Sequence, residues 1–222
     1  MKMKKQKISV LVLSIALGSV MLPNVGHAID PTSTVDVTVS AGAGEGPTEE
    51  NISDKEPNEG PFVIKAVSDF KYPSIPIGKT RSATLATGYD SGIEVVDVTG
   101  DGTGWNVKVA MTEPLAMTTG QKEELKGWVL QIPTKEVVSG RQVVTDQALG
   151  VPVTLTKDAS KTVFKADVGK GMGRYTNIFE RNGAQNSNPE RTTGVQLSIP
   201  NTARAASYTG KLTWTLTNTP EA

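Results

Sequence analysis

The sequence predicts an all-β protein, an antiparallel β-sandwich or barrel-like single domain preceded by a disordered N-terminal arm. Three observations predict it. From Phe62 onward, short runs of β-favouring residues alternate with turn signals containing Gly or Pro. No stretch beyond the first 28 residues has the apolar periodicity of a helix, and even Gln121–Lys126, built of helix formers, spans less than two turns. From Ile29 to Pro61, by contrast, acids, Ser and Thr are interspersed with Gly42, Gly44, Gly46, Pro47, Pro57 and Gly60, leaving few large apolar residues to bury.

The chain opens with Lys2, Lys4, Lys5 and Lys7, then an uncharged, mostly apolar run from Ile8 to Leu22, then Pro23 and Gly26-His27-Ala28. This is the pattern of a secretory signal peptide, residues 1–28. Small residues at Gly26 and Ala28 fit the narrow pockets of the peptidase, so cleavage is expected after Ala28. The run of about 15 residues is short for a membrane span, which needs roughly 20, and no span is expected in the mature form. Of the 23 Lys and Arg, four leave with this segment while all 23 Asp and Glu stay, which makes the mature chain mildly acidic.

Segment 29–61 is expected to be a flexible, solvated acidic arm. It holds Asp30, Asp36, Glu45, Glu49, Glu50, Asp54, Glu56 and Glu59 against Lys55 alone. The alternation of Val35, Val37 and Val39 is its one stretch able to pair as a strand with a domain edge or a partner.

The β domain is expected over 62–220. Phe62–Val67 is its first strand, and Ser82–Thr87 and Ile93–Val98 follow, with Asp90-Ser91-Gly92 and Gly100-Asp101-Gly102 as turns around the latter. In Trp105–Met111 the residues Trp105, Val107 and Val109 share one face, and Asn106, Lys108 and Ala110 the other. Trp128–Ile132 places Trp128, Leu130 and Ile132 together. Val151–Thr156 and Thr162–Ala166 are two further runs. Gly169–Thr193, rich in Gly and Asn and carrying Arg174, Tyr175, Arg181 and Arg191, reads as a mobile loop able to contact a ligand. Val195–Ile199 is another strand. The last, Tyr208–Asn218, lines up Leu212, Trp214 and Leu216 opposite Lys211, Thr213, Thr215 and Thr217. No repeat of fixed period divides this region, so one domain is expected.

Composition excludes much chemistry. The chain has no Cys, and its only His, His27, lies in the signal segment. Thiol nucleophiles, Ser-His-Asp triads and zinc sites built on imidazole or thiolate are therefore ruled out of the mature chain. Without disulfides the domain must be stable through its core, and about 160 residues suffice to bury close to 70% of the unfolded surface. The weak charge balance argues against a nucleic-acid partner, whose binding rests on many phosphate-neutralising cations. Asp97-Val98-Thr99-Gly100-Asp101-Gly102 lacks the full ligand set of a calcium loop and reads as a hairpin turn, so no metal is expected. Gly169-Lys170-Gly171-Met172-Gly173 is followed by no helix that would cradle a phosphate. Glu49-Glu50 and Glu123-Glu124 sit in arm and turn contexts, which gives no paired-carboxylate arrangement for glycoside hydrolysis. No cofactor and no enzyme activity are expected.

Two readings of the tryptophans stand side by side. Each lies on an aliphatic strand face, as a core anchor would; an exposed Trp could instead stack on sugar rings.

The segment Tyr208-Thr209-Gly210-Lys211-Leu212-Thr213-Trp214-Thr215-Leu216-Thr217-Asn218-Thr219-Pro220 closely resembles the distal motif of the WxL family of bacterial surface proteins. Val95 to Val109, ending in Trp105-Asn106-Val107-Lys108-Val109, resembles the approach to that family's first Trp motif, with Leu125-Lys126-Gly127 and Gly171-Met172-Gly173 as landmarks between. The resemblance covers roughly 62–220. The first motif departs from the pattern in having Val107 where Leu is usual; Val can fill the same inward position with less volume. Trp128-Val129-Leu130 matches the tripeptide where no motif Trp is expected.

The resemblance implies a secreted protein of the cell surface, attached non-covalently to the Gram-positive cell wall, with peptidoglycan as the ligand. Trp105, Val107, Trp214 and Leu216 would be the motif residues. It also implies surface complexes with other WxL proteins and a membrane-anchored companion. An interaction subunit that binds another surface or host protein is the alternative. After the final strand the sequence shows no apolar tail, stop-transfer cluster or LPxTG-type motif, and Ser198-Ile199-Pro200-Asn201-Thr202 is a near-miss inside the domain. Retention is thus expected to come from the folded domain.

Overall fold

The computed structural model describes residues 40–43, 50–52, 58–85, 87–183, 188 and 191–220. The expected signal peptide with its cleavage after Ala28, and the Val35, Val37 and Val39 stretch, lie outside the described residues. Within them every regular element is a strand, and no helix is long and apolar enough to cross a membrane.

In chain order the strands are β1 (Phe62–Val67), β2 (Thr80–Ser82), β3 (Ser91–Asp97), β4 (Trp105–Met117), β5 (Val129–Ile132), β6 (Glu136–Ser139) and β7 (Gln142–Val143). They continue with β8 (Leu149–Gly150), β9 (Val153–Leu155), β10 (Ser160–Ala166), β11 (Gly173–Glu180), β12 (Gln196–Ser198) and β13 (Tyr208–Thr217). They form three sheets in the orders β1-β3-β11-β6-β7, β13-β4-β10-β8 and β2-β12-β5-β9. Every strand pair is antiparallel. Sheet faces with alternating apolar residues must meet one another to leave water, and here all three contribute to one core. Ile93, Val95, Tyr175 and Phe179 come from the first sheet, Trp105, Val107, Val109 and Phe164 from the second, and Leu130, Ile132, Leu155 and Leu197 from the third.

Several elements differ from the expectation. The largest correction concerns Gly169–Thr193. Instead of a mobile loop, Gly173–Glu180 is β11, which lies inside the five-stranded sheet between β3 and β6. Its loop-like composition is accommodated by partners across the fold: buried Thr176 Oγ1 donates to Glu94 Oε2 at 3.2 Å, and Asn177 Nδ2 donates to the Val163 carbonyl at 3.1 Å. The second strand spans Thr80–Ser82 rather than Ser82–Thr87, because the chain leaves β12 there and Thr84 N–H donates to the Lys71 carbonyl at 2.7 Å. The turn at Asp97–Gly102 is capped by Asp97 Oδ1, which accepts from Thr99 N–H at 3.2 Å and Thr99 Oγ1 at 2.6 Å. It closes no hairpin: β3 and β4 belong to different sheets, so this turn carries the chain from one to the next. The hairpin β6–β7, absent from the expected strands, turns through Gly140 and Arg141 with φ of 57° and 62°, the left-handed pair that a two-residue hairpin requires.

Parts of segment 29–61 rest against the domain. Gly42 N–H donates to the Val98 carbonyl at 2.8 Å. Ile52 is 1% exposed in a small apolar cluster with Ala66, Val138 and Ile178. Ser68 Oγ donates to the Ile52 carbonyl at 2.6 Å. A single Ile among acids carries no periodic signal, so composition alone could not reveal its burial.

Candidate functional site

The two Trp motifs, 109 residues apart in sequence numbering, become neighbouring strands. β4 and β13 pair so that Leu216 lies opposite Val107, Trp214 opposite Val109 and Leu212 opposite Met111. The four motif residues Trp105, Val107, Trp214 and Leu216 thus belong to one two-stranded ladder. Its large side chains face the core, and Thr209, Thr213, Thr215, Thr217 and Lys108 are exposed on the opposite side. Thr112 and Thr213 share a hydroxyl hydrogen bond of 2.8 Å across that outer face. Asn106 Nδ2 donates to the Thr219 carbonyl, tying the end of the second motif back to the first.

Trp105 and Val107 are both fully buried. The Trp105 ring meets Phe164 edge-on at 4.8 Å, and its Nε1 donates to the Gly171 carbonyl at 3.0 Å. That bond satisfies the indole N–H, the one polar group that burial would otherwise penalise. Gly171 is required there: its φ is 74°, and a Cβ would lie 2.3 Å from Ala166 Cβ and 2.6 Å from Trp105 Nε1. The Gly171-Met172-Gly173 landmark is therefore the seat of the first motif's tryptophan. Trp128 is 2% exposed and belongs to the core.

Trp214 differs from the other two. It is half-buried, lies nearly parallel to Phe179 with centroids 6.2 Å apart, and meets Phe70 edge-on at 6.4 Å. Aromatic neighbours thus occupy its buried side.

The four residues expected on a contact loop are dispersed. Arg174 and Tyr175 lie on β11, with Tyr175 7% exposed in the core. Just past β11, Arg181 sits among three carboxylates: Nε donates to Glu136 at 2.6 Å, and Nη1 to Glu50 at 2.6 Å and Asp90 at 2.7 Å. Burial works against the Arg181 charge, but hydrogen bonds to Glu136, Glu50 and Asp90 outweigh it and raise its pKa. Arg191 is 8% exposed, donates to Glu180 Oε1 at 3.1 Å and also donates to the Ala83 carbonyl. Two arginines expected to face a ligand thus hold the fold together.

Beside them lies a feature that the sequence did not announce, an open cleft of about 700 Å³ between the β5–β6 connection, the end of β11 and the approach to β12. Glu180 lines it. Its only sequence signal was a lone acid after an apolar pair, too weak to single out. Among the described residues no group of three or more acidic side chains is placed to hold a metal ion.

Comparison with known proteins gives one match. Residues 20–220 fit the family model described as the WxL domain, surface cell wall-binding. No curated protein and no solved structure matches the chain. The matched span takes in both Trp motifs, their joined ladder and the glycine seat of Trp105, and this chain belongs to the WxL family of cell-surface, cell wall-binding domains.

Proposed function

We propose that the folded domain holds the protein non-covalently on the Gram-positive cell wall, with peptidoglycan as its ligand, and that it performs no catalysis. The family match over 20–220 carries this reading. The structure is in keeping with it, since the two motifs join into one ladder whose outward face is rich in hydroxyls. Such a face suits shape and hydrogen-bond recognition of a polymer more than ion exchange. Export by the N-terminal segment, with processing after Ala28, belongs to the same proposal. Incubating the purified mature chain with peptidoglycan stripped of protein and teichoic acid tests it: the chain is expected in the pellet, and recovery in the wash would exclude peptidoglycan as the ligand.

A second reading, an interaction subunit that recognises another surface protein such as a WxL or membrane-anchored companion, is favoured by β13. This ten-residue strand ends its sheet, with no strand on its far side among the described residues. Such an edge can accept a partner strand. Pull-down from a wall-free surface extract would recover that partner.

A further inference from the structure

The open edge of β13 carries a palindrome: Leu212-Thr213-Trp214-Thr215-Leu216 reads the same in both directions. It is also the regular part of the strand. The register with β4 shifts twice between Thr209 and Leu212, then runs unbroken to Thr217. Exposed sheet edges are ordinarily blunted by bulges, Pro or charge. The shifts blunt the first part of β13, whereas Leu212–Leu216 has none of these devices. Burial marks the same stretch. On β4, which has a strand on either side, Val107 and Val109 are fully buried. Their ladder partners Leu216 and Trp214 lie on the same face yet are only half-buried, as is Leu212. The difference is the neighbour that β13 lacks among the described residues.

We infer that a second copy of this chain supplies that neighbour, by antiparallel pairing of β13 with β13 about a two-fold axis at Trp214. The inference rests on the second reading above and names the partner as the chain itself. With Trp214 opposite Trp214, Leu212 meets Leu216 and Thr213 meets Thr215, so the apolar face of one copy continues that of the other. Aromatic pairs and Thr–Thr pairs directly across a ladder are favourable. Lys211, the one charged residue of the strand, falls opposite Thr217 of the second copy, so no like charges are opposed. A partner of different sequence would need no palindrome, whereas a symmetric pair requires the strand to complement itself. One strand pair buries little area, which sets the dissociation constant on the order of 10–100 µM.

The test is sedimentation equilibrium of the purified mature chain and of two double variants at exposed positions, each with a thermal melt. Thr213→Glu with Thr215→Glu sets like charges directly opposite one another on both sides of the axis. It should weaken dimerisation about tenfold or more. Thr213→Lys with Thr215→Glu sets opposite charges at the same places and should dimerise at least as tightly as wild type. Both variants put a carboxylate beside Lys108 and lose the Thr112–Thr213 hydrogen bond. A fold defect would therefore affect them alike, whereas the pairing separates them. A wild-type chain that stays monomeric up to about 1 mM would overturn the inference, and so would equal dimerisation by the two variants. Pull-down from a wall-free surface extract separates it from the second reading. Capture of another protein by a monomeric wild type, lost in Thr213→Glu with Thr215→Glu, would overturn self-pairing and leave that reading standing. A chain that neither dimerises nor captures a partner would overturn both.

Discussion

Replacing Trp214 with Ala separates a structural tryptophan from a sugar-stacking one. Trp214 is half-buried, against Phe179 at 6.2 Å and Phe70 at 6.4 Å. Half of the roughly 150–250 Å² that a tryptophan buries, at about 25 cal/mol/Å², comes to about 2–3 kcal/mol. The two ring contacts add roughly 0.5–1.5 kcal/mol each, and partial collapse of the neighbours returns some of the total. The expected loss is therefore about 3 kcal/mol, a fall in Tm of roughly 6–12 °C for a chain of this size. Trp105→Ala, at a fully buried site that also loses the bond to Gly171, should cost more, about 5 kcal/mol. Circular dichroism melts measure both. Wall sedimentation of Trp214→Ala, done well below its melting temperature, should match wild type. A variant that loses less than about 1 kcal/mol yet no longer sediments would refute this reasoning and make Trp214 a ligand platform.

Other substitutions probe separate joints of the fold. Gly171→Ala should cost at least about 3 kcal/mol in urea unfolding, because it adds a Cβ at φ 74° and 2.3 Å from Ala166 Cβ. Arg181→Met leaves Glu50, Asp90 and Glu136 without their shared cation. It should cost about 2 kcal/mol by the same assay, less than for a fully buried pair, because the Arg181 side chain is 30% exposed. Burial raises the pKa of Tyr72 above its usual 10.0, and its hydroxyl has no hydrogen-bond partner. Below pH 10 both folded and unfolded Tyr72 are protonated and stability is full; above it only the unfolded state ionises, so stability falls as pH rises. Tyr72→Phe should remove that alkaline slope and be neutral or stabilising by up to about 1 kcal/mol at pH 7.

Strand faces were legible wherever apolar alternation was clean. Phe62–Val67 appears with the bounds expected of it, and Trp105, Val107 and Val109 share the inward face that their spacing dictates. The alternation failed at β11, whose polar Thr176 and Asn177 are buried because they bond to Glu94 and Val163 elsewhere in the fold. Nothing local marks such a pair, since its partner is chosen by topology. The same holds for Arg181, whose partner Glu50 lies 131 residues away, and for the cleft, whose walls come from three separate stretches of chain. The joining of the two Trp motifs into one ladder was likewise invisible, although each motif was recognisable alone. The very short β7 and β8 carry no periodic signal at all.

The central claim, that the folded domain by itself attaches to the wall without a covalent bond, is tested most directly by adding purified mature chain to walls boiled in detergent and stripped of protein. The account predicts that the chain pellets with them, is released intact by denaturant, and no longer pellets when added already unfolded. Recovery of the folded chain in the supernatant at every wall concentration would contradict it.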